Sequence, residues 1–288
     1  MGVFLTARIL IRPGDAVLVE RLTYEPAVAA FRACGAKIVT VGLDEDGVDV
    51  ADVERACRKH RVRAIFVTPH HQFPTTVSMR PDRRLRLLEL ARQFAFAVIE
   101  DDYDHEFHFG AQPLLPMASY APARVIYAGS MSKLLVPALR IGYIAAAPQV
   151  IDALAYQVSL IDGMGNHITE NVAAHLLESG EVRRHIRKTA QIYAARRDAF
   201  ARSLDETLGG LLDYRMPDGG LAFWLRFRDT ATLDRIETRA PALGLSFASS
   251  HSYTADDSAE RGLRLGFASL DEEEARDVLH ALGRCAID

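Results

Sequence analysis

Ala97-Val98-Ile99-Glu100-Asp101-Asp102-Tyr103 and Val125-Ile126-Tyr127-Ala128-Gly129-Ser130-Met131-Ser132-Lys133 decide the fold of this chain. Each opens as a short uncharged apolar run rich in β-branched residues, the composition of a strand buried on both faces of a parallel sheet. Each then turns abruptly polar. Ligands of open α/β sheets bind beyond the carboxyl ends of the strands, so both polar tails are expected on one sheet edge. Arg140 follows seven residues after Lys133, at the entry to a further strand, and joins the same edge.

Working outward, the same alternation of short apolar runs with amphipathic segments extends from Ala16 to Ala147. Strands are expected at Ala16–Val19, Lys37–Val41, Ala64–Thr68, Ala97–Asp101, Val125–Gly129 and Ile141–Ala146. Helices are expected at Glu25–Cys34, Asp52–His60 and Asp82–Phe94; in the last, Leu87, Leu90 and Phe94 lie on an apolar stripe and Pro81-Asp82 supplies start chemistry. After Pro148 the texture changes to long helical stretches, Gln149–Leu160, Ile168–Ser179 and Val182–Leu208, then strands near Leu221–Leu225, Leu245–Ala248 and Leu263–Phe267 and a final helix over Asp271–Leu282. The expected fold class is therefore α/β: a mostly parallel sheet sandwiched by helices over residues 1–150, connecting helices over 151–180 and a smaller C-terminal α+β domain over 181–288.

Composition narrows the function classes. The chain has 288 residues, enough for one large or two modest domains, with 34 basic and 38 acidic side chains and a net charge of −4. That sign excludes a protein whose whole surface condenses on nucleic acid. No uninterrupted apolar stretch approaches the roughly 20 residues of a membrane span, and Arg8 and Arg12 interrupt the apolar start, so neither a membrane partner nor a signal peptide is expected. Three scattered cysteines, Cys34, Cys57 and Cys285, make no disulfide framework, and a cytoplasmic home is expected. Only four residues are lysine, Lys37, Lys59, Lys133 and Lys188, so the generic cation here is arginine and a lysine within a Ser-rich apolar segment asks for a reason.

The edge gathers a carboxylate, a phenol, two hydroxyls, a lysine and an arginine, which is the set that pyridoxal 5'-phosphate requires. An amine must form the Schiff base, a carboxylate must face the pyridine nitrogen to keep the electron sink protonated, and hydroxyls with a bidentate arginine must hold the phosphate. The amine must also be held partly desolvated so that its neutral form is accessible.

Together with Val67–Thr75, Ile99–Phe107, Val125–Tyr143 and Leu263–Phe267, these residues give a chain that resembles a fold-type I, class I/II aminotransferase dependent on pyridoxal phosphate, in the branch found in MocR/GabR-type transcription regulators. The resemblance implies Lys133 as the Schiff-base lysine, Asp101 as the pyridinium partner and Tyr103 as the phenol near the ring oxygen. It implies Ser130, Ser132 and Arg140 as phosphate ligands, Tyr24 as an aromatic near the cofactor ring and Arg264 as the arginine that grips a substrate α-carboxylate. It implies an amino acid or amine and a keto acid as substrates, and a homodimer. Three departures accompany it. A phosphate-cupping turn that family members carry before the segment matching Met1–Asp15 is not in this chain, nor is the regulators' winged helix-turn-helix, so the chain is expected not to read DNA. Where the family has Pro-Thr-Gly, this chain has Pro74-Thr75-Thr76, placing a β-branched residue where glycine adopts positive φ at little cost.

Other polar groups read more plainly. Asp104, His105, Glu106 and His108 match no metal-ligand spacing and are expected to form a satisfied loop cluster, and no metal is assigned. His70 and His71 are expected to be structural or to line the substrate entrance. Asp44-Glu45-Asp46-Gly47 reads as a turn between strands, and the arginines of 183–197 as a solvated helix face. Three functions fit: a transaminating enzyme, a sensor domain that binds the cofactor and an amino compound, or a decayed relative that dimerises without cofactor.

Overall fold

The structure, a computed structural model, describes residues 1–110, 114–163, 165–256 and 260–287. Its main sheet has the strand order β2-β1-β5-β6-β7-β8, formed by Ala16–Glu20 (β1), Lys37–Val41 (β2), Val62–Val67 (β5), Ala97–Asp102 (β6), Val125–Ser130 (β7) and Gly142–Ala145 (β8). Neighbours are parallel except β8, which runs antiparallel to β7. The short hairpin of Leu43–Asp44 (β3) and Gly47–Val48 (β4) closes around the acidic turn, as expected.

Strand alternation feeds two cores. Leu18, Ile65, Val67 and Val98 point to the face covered by Val50–Lys59 (α3) and Pro81–Phe94 (α4), where they meet Val53, Leu87 and Leu90. Val17, Val19, Phe66 and Ile99 point to the other face, against Ala7 and Ile11 beside Gly2–Leu10 (α1) and Val28 and Phe31 of Glu25–Ala33 (α2). Because both faces are buried, the strands read as continuous apolar runs. Helix α1 was not among the elements expected, because two arginines interrupt its apolar run; its Leu5, Thr6 and Ala7 are buried.

Beyond Pro148–Ile161 (α5) and His167–Glu178 (α6), the 28-residue helix Glu181–Leu208 (α7) joins two packing regions. Val182 near its start packs with Phe107, Met131 and Leu134, while Phe200, Leu204 and Leu208 enter the C-terminal core. That core is formed with a three-stranded antiparallel sheet, order β11-β10-β9, of Leu212–Tyr214 (β9), Ala222–Phe227 (β10) and Leu263–Gly266 (β11), and with Thr230–Arg239 (α8) and Glu272–Ala286 (α9). Asp271 and Glu274 form a reciprocal capping box at the start of α9. The strand expected at Leu245–Ala248 does not form; the segment is irregular, with the side chains of Leu245 and Phe247 packed on the core and the Leu245 amide donating to the Ala240 carbonyl at 3.1 Å. The third strand of the small sheet is instead β9, whose three residues carry too short a pattern to read.

Candidate active site

The strand pairing sets the site. Asp101 lies opposite Ala128 and Asp102 opposite Gly129, so the acids of β6 end level with the last turn of chain before Ser130, Ser132 and Lys133. On the far side Ser130 pairs with Gly142, and the intervening loop is pinned by the Met131 amide donating to the Ile141 carbonyl at 3.1 Å. This fold-back brings Arg140 to the end of β7. Arg140 itself sits at φ 55° after a 3-10 turn over Pro137–Leu139.

Successive residues of β6 face opposite ways, and the partners differ accordingly. Glu100 is fully buried and accepts from the amides of Met117 at 2.9 Å and Ala118 at 3.0 Å, so it is a structural acid. Asp102 is 4% exposed and accepts from the Tyr127 hydroxyl at 2.9 Å. Burial works against its charge, but contacts with His70, His105 and Tyr127 outweigh that and its pKa is lowered. Asp101 is half-buried and makes no hydrogen bond or ion pair among the described residues. Burial first, then repulsion from Asp102 and Asp104, pushes its carboxyl up to about 7.

The cations on this edge are also without partners. Lys133 and Arg140 are exposed, and neither makes an ion pair among the described residues; the partial desolvation expected of Lys133 is not met within one chain. Ser130 accepts from the Ser132 amide at 3.2 Å. Arg264, on β11, lies with its guanidinium carbon 5.0 Å from the Phe73 ring centroid and 5.9 Å from that of Tyr103, while its buried Nε has no acceptor. Tyr24 meets Phe73 edge-on at 5.3 Å, and Phe73 in turn meets Tyr103 at 6.2 Å and Tyr253 at 5.8 Å, so these rings form one aromatic wall. The Tyr103 hydroxyl donates to the His71 carbonyl at 2.9 Å, and burial raises its pKa. Its donor is thus committed, which differs from a phenol free to donate to a ring oxygen.

The wall is held by contacts across the molecule. Thr23 donates its amide to the Tyr253 carbonyl at 2.8 Å and Ala255 donates to the Arg21 carbonyl at 2.9 Å, tying the loop after β1 to the C-terminal half. Thr76 adopts φ 63° with 7% exposure, so the β-branched replacement for glycine does occupy the left-handed region.

Four histidines that the sequence placed in a loop or at an entrance lie together beneath this edge. His70 is 2.9 Å from Asp102 and His71 is 2.7 Å from Asp104, both pairs buried, with the His105 and His108 rings against them. Burial and then the neighbouring imidazoles push His108 down to about 3 and lower His105 as well. A depression of about 520 Å³ beside α8, lined by Glu237, Pro241 and Phe247, lies away from all of these groups.

The residues present fit pyridoxal phosphate: an unpartnered carboxylate, an amine and an arginine share the β6–β7 edge, and a second arginine with an orphaned buried nitrogen lies against an aromatic wall. No helix among the described residues is long and apolar enough to cross a membrane. The family model for aminotransferase class I and II matches residues 2–282. An aromatic-amino-acid aminotransferase of Thermococcus litoralis is 31% identical over 284 residues, 96% of this chain and 68% of that protein. A probable rhizopine catabolism regulatory protein, MocR, of Rhizobium meliloti is 30% identical over 277 residues, 96% of this chain but 55% of its own length. The structure of an α-aminoadipate aminotransferase of Thermus thermophilus, complexed with N-(5'-phosphopyridoxyl)-L-leucine, superposes with a TM-score of 0.92 at 27% identity, covering 99% of this chain and 74% of that one.

Proposed function

Since the chain belongs to the class I and II aminotransferase family, we propose that its β6–β7 edge moves an amino group between an amino acid or amine and a keto acid. When bound, pyridoxal phosphate supplies an aldehyde that captures an amine and a ring that takes up the electrons of a Cα–H bond. The chain's own residues do the rest. Lys133 offers the amine and, in its neutral form, holds the proton that leaves the substrate Cα. Asp101, free of other partners, would hold the ring nitrogen, whose positive charge would draw the carboxyl back to its ionised form and keep the ring protonated. Arg140, Ser130 and Ser132 offer charge-assisted and neutral hydrogen bonds to a phosphate dianion. Arg264 offers two parallel N–H groups to a substrate carboxylate, and Tyr24 with Tyr103 limits where the ring can lie.

The observation that carries this reading is the set of unpartnered charges, Asp101, Lys133 and Arg140, on one strand edge. The test is the absorption spectrum of the purified chain with added pyridoxal phosphate. A near-visible band that borohydride discharges, leaving the label on Lys133, is the expected result, and Lys133→Ala is expected to lack the band and to lose turnover by at least about 10³-fold. The same covalent, coloured form in Lys133→Ala, or no uptake by the parent chain, defeats the reading. Similarity to a regulator over 96% of the chain favours a second reading, a domain that senses an amino compound; a single spectral shift without keto-acid product selects it over steady turnover.

The chain acts as a homodimer in this reading. Supporting it, Tyr156, Leu160 and Ile161 of α5 and Ile168, Val172 and Leu177 of α6 are exposed apolar side chains, as are Leu139 and Tyr143 earlier in the chain. A monomeric mass with saturating cofactor contradicts it. The free Cys34, Cys57 and Cys285 fit a reducing cytoplasm.

A further inference from the structure

His70, at the end of the β5 strand, Asp102, at the end of β6, and His105, in the loop beyond, present one ligand atom each within 4.8 Å of one another. His70 is 2% and Asp102 4% exposed, so neither is a solvated surface group. The Nε2 of His70 lies 2.7 Å from the Leu114 carbonyl and 3.3 Å from Arg84 Nη1, and it donates to the carbonyl when it carries the hydrogen. In the neutral ring the lone pair is then on Nδ1, and Nδ1 lies 2.9 Å from Asp102 Oδ2. Nδ1 and the carboxylate thus face each other inside the protein without the alignment of a hydrogen bond. His105 Nδ1 lies 3.5 Å from the same oxygen and is likewise without a hydrogen-bond partner, as is Asp102 Oδ1.

A cation off the line between these atoms resolves the arrangement. Two bonds of about 2.1 Å to one metal ion separate their ligand atoms by about 2.9 Å at an angle near ~90° and by about 3.5 Å near ~115°. Those are the separations of His70 and His105 from Asp102. The surroundings are those of a ligated site: the far nitrogen of His70 is fixed by a backbone carbonyl and the carboxylate is oriented by the Tyr127 hydroxyl at 2.9 Å. We infer that His70, Asp102 and His105 form a site for one divalent first-row transition ion of the zinc type, completed by water. Two imidazoles and a carboxylate suit zinc, cobalt or iron and disfavour calcium and magnesium. The ion ties the loops after β5 and β6 together beneath the segment that carries Asp101 and Tyr103. The inference stands independently of the cofactor reading, since its ligands are other residues.

The test uses the untagged, metal-stripped full chain and the metal alone. Titration with Co²⁺ is expected to give visible d–d absorption that saturates at one ion per chain and is displaced by Zn²⁺, and Zn²⁺ is expected to raise the thermal unfolding midpoint. His105→Gln, at a half-buried position, is expected to weaken binding more than roughly 10-fold, and Tyr127→Phe about 10-fold by freeing the carboxylate. His280→Gln on the exposed side of α9 serves as the control and leaves binding unchanged. Absence of a saturable one-to-one site overturns the inference. So does unchanged affinity in both His105→Gln and Tyr127→Phe; if His105→Gln does not fold, Tyr127→Phe decides.

Discussion

The two sides of the end of β6 give adjacent acids opposite surroundings. Asp102 is enclosed by Tyr127, His70 and His105, whereas Asp101, one residue earlier on the opposite side, has no hydrogen-bond partner among the described residues. The lesson is that a strand can deliver two adjacent carboxylates to opposite faces and give them opposite tasks. A carboxylate that the protein supplies with a donor stabilises the fold, and one left without any is held ready for something else at a cost to stability.

Glu20, at the end of β1, takes this contrast to its limit and carries the largest expected effect. It is 1% exposed, and burial pushes its carboxyl up to about 8 despite the hydrogen bond from Gln72 at 3.1 Å. With a folded pKa above the usual value of 4.5, the folded chain holds the proton longer than the unfolded one. Its stability is therefore complete below about pH 4.5 and falls as pH rises towards 8, by on the order of 4 kcal/mol. Urea unfolding midpoints of Glu20→Gln are expected to lack this fall between pH 5 and pH 8. An unchanged slope removes Glu20 from the comparison.

The adjacent pair provides the next and most direct attempt to break it. Asp102→Asn in the metal-free chain is expected to lose about 3 kcal/mol, since it unbalances a buried, bonded group. Asp101→Asn is expected to gain about 1 kcal/mol, because it removes an unpartnered charge. Chemical denaturation of both variants at one pH reads the two signs; a loss at both positions shows that the faces are not different in kind.

Thr76 carries the smallest effect. Left-handed backbone at a β-branched residue costs about 1–2 kcal/mol. Replacement by glycine recovers this strain but loses buried contacts and frees the unfolded chain. Thr76→Gly is therefore expected to change the unfolding free energy by less than about 1 kcal/mol, and a loss well beyond that shows that side-chain packing dominates at this turn.

Much of the fold was legible because each buried strand advertises itself: Ala97–Ile99 and Val125–Ala128 are apolar runs that only a covered sheet accommodates. A local signal also located α4 through Pro81. Local signals failed for α1, whose arginines break the stripe, and for Leu245–Ala248, whose apolar residues pack on the core without joining the sheet. The chemical residues of the β6–β7 edge were legible because they are contiguous with the strands that present them. The histidine cluster was not, because its ligands come from segments 32 or more positions apart and match no short spacing.

The sequence alone determined which segments are strands, that their polar ends share an edge, and that one of only four lysines stands there, since periodicity and composition act over a few residues. Only the tertiary structure decided which of Asp101 and Asp102 receives a donor, that Arg264 lies on the Phe73–Tyr103 wall, and that His70 meets His105. Burial and partner choice are properties of distant chain brought into contact, and no local pattern encodes them.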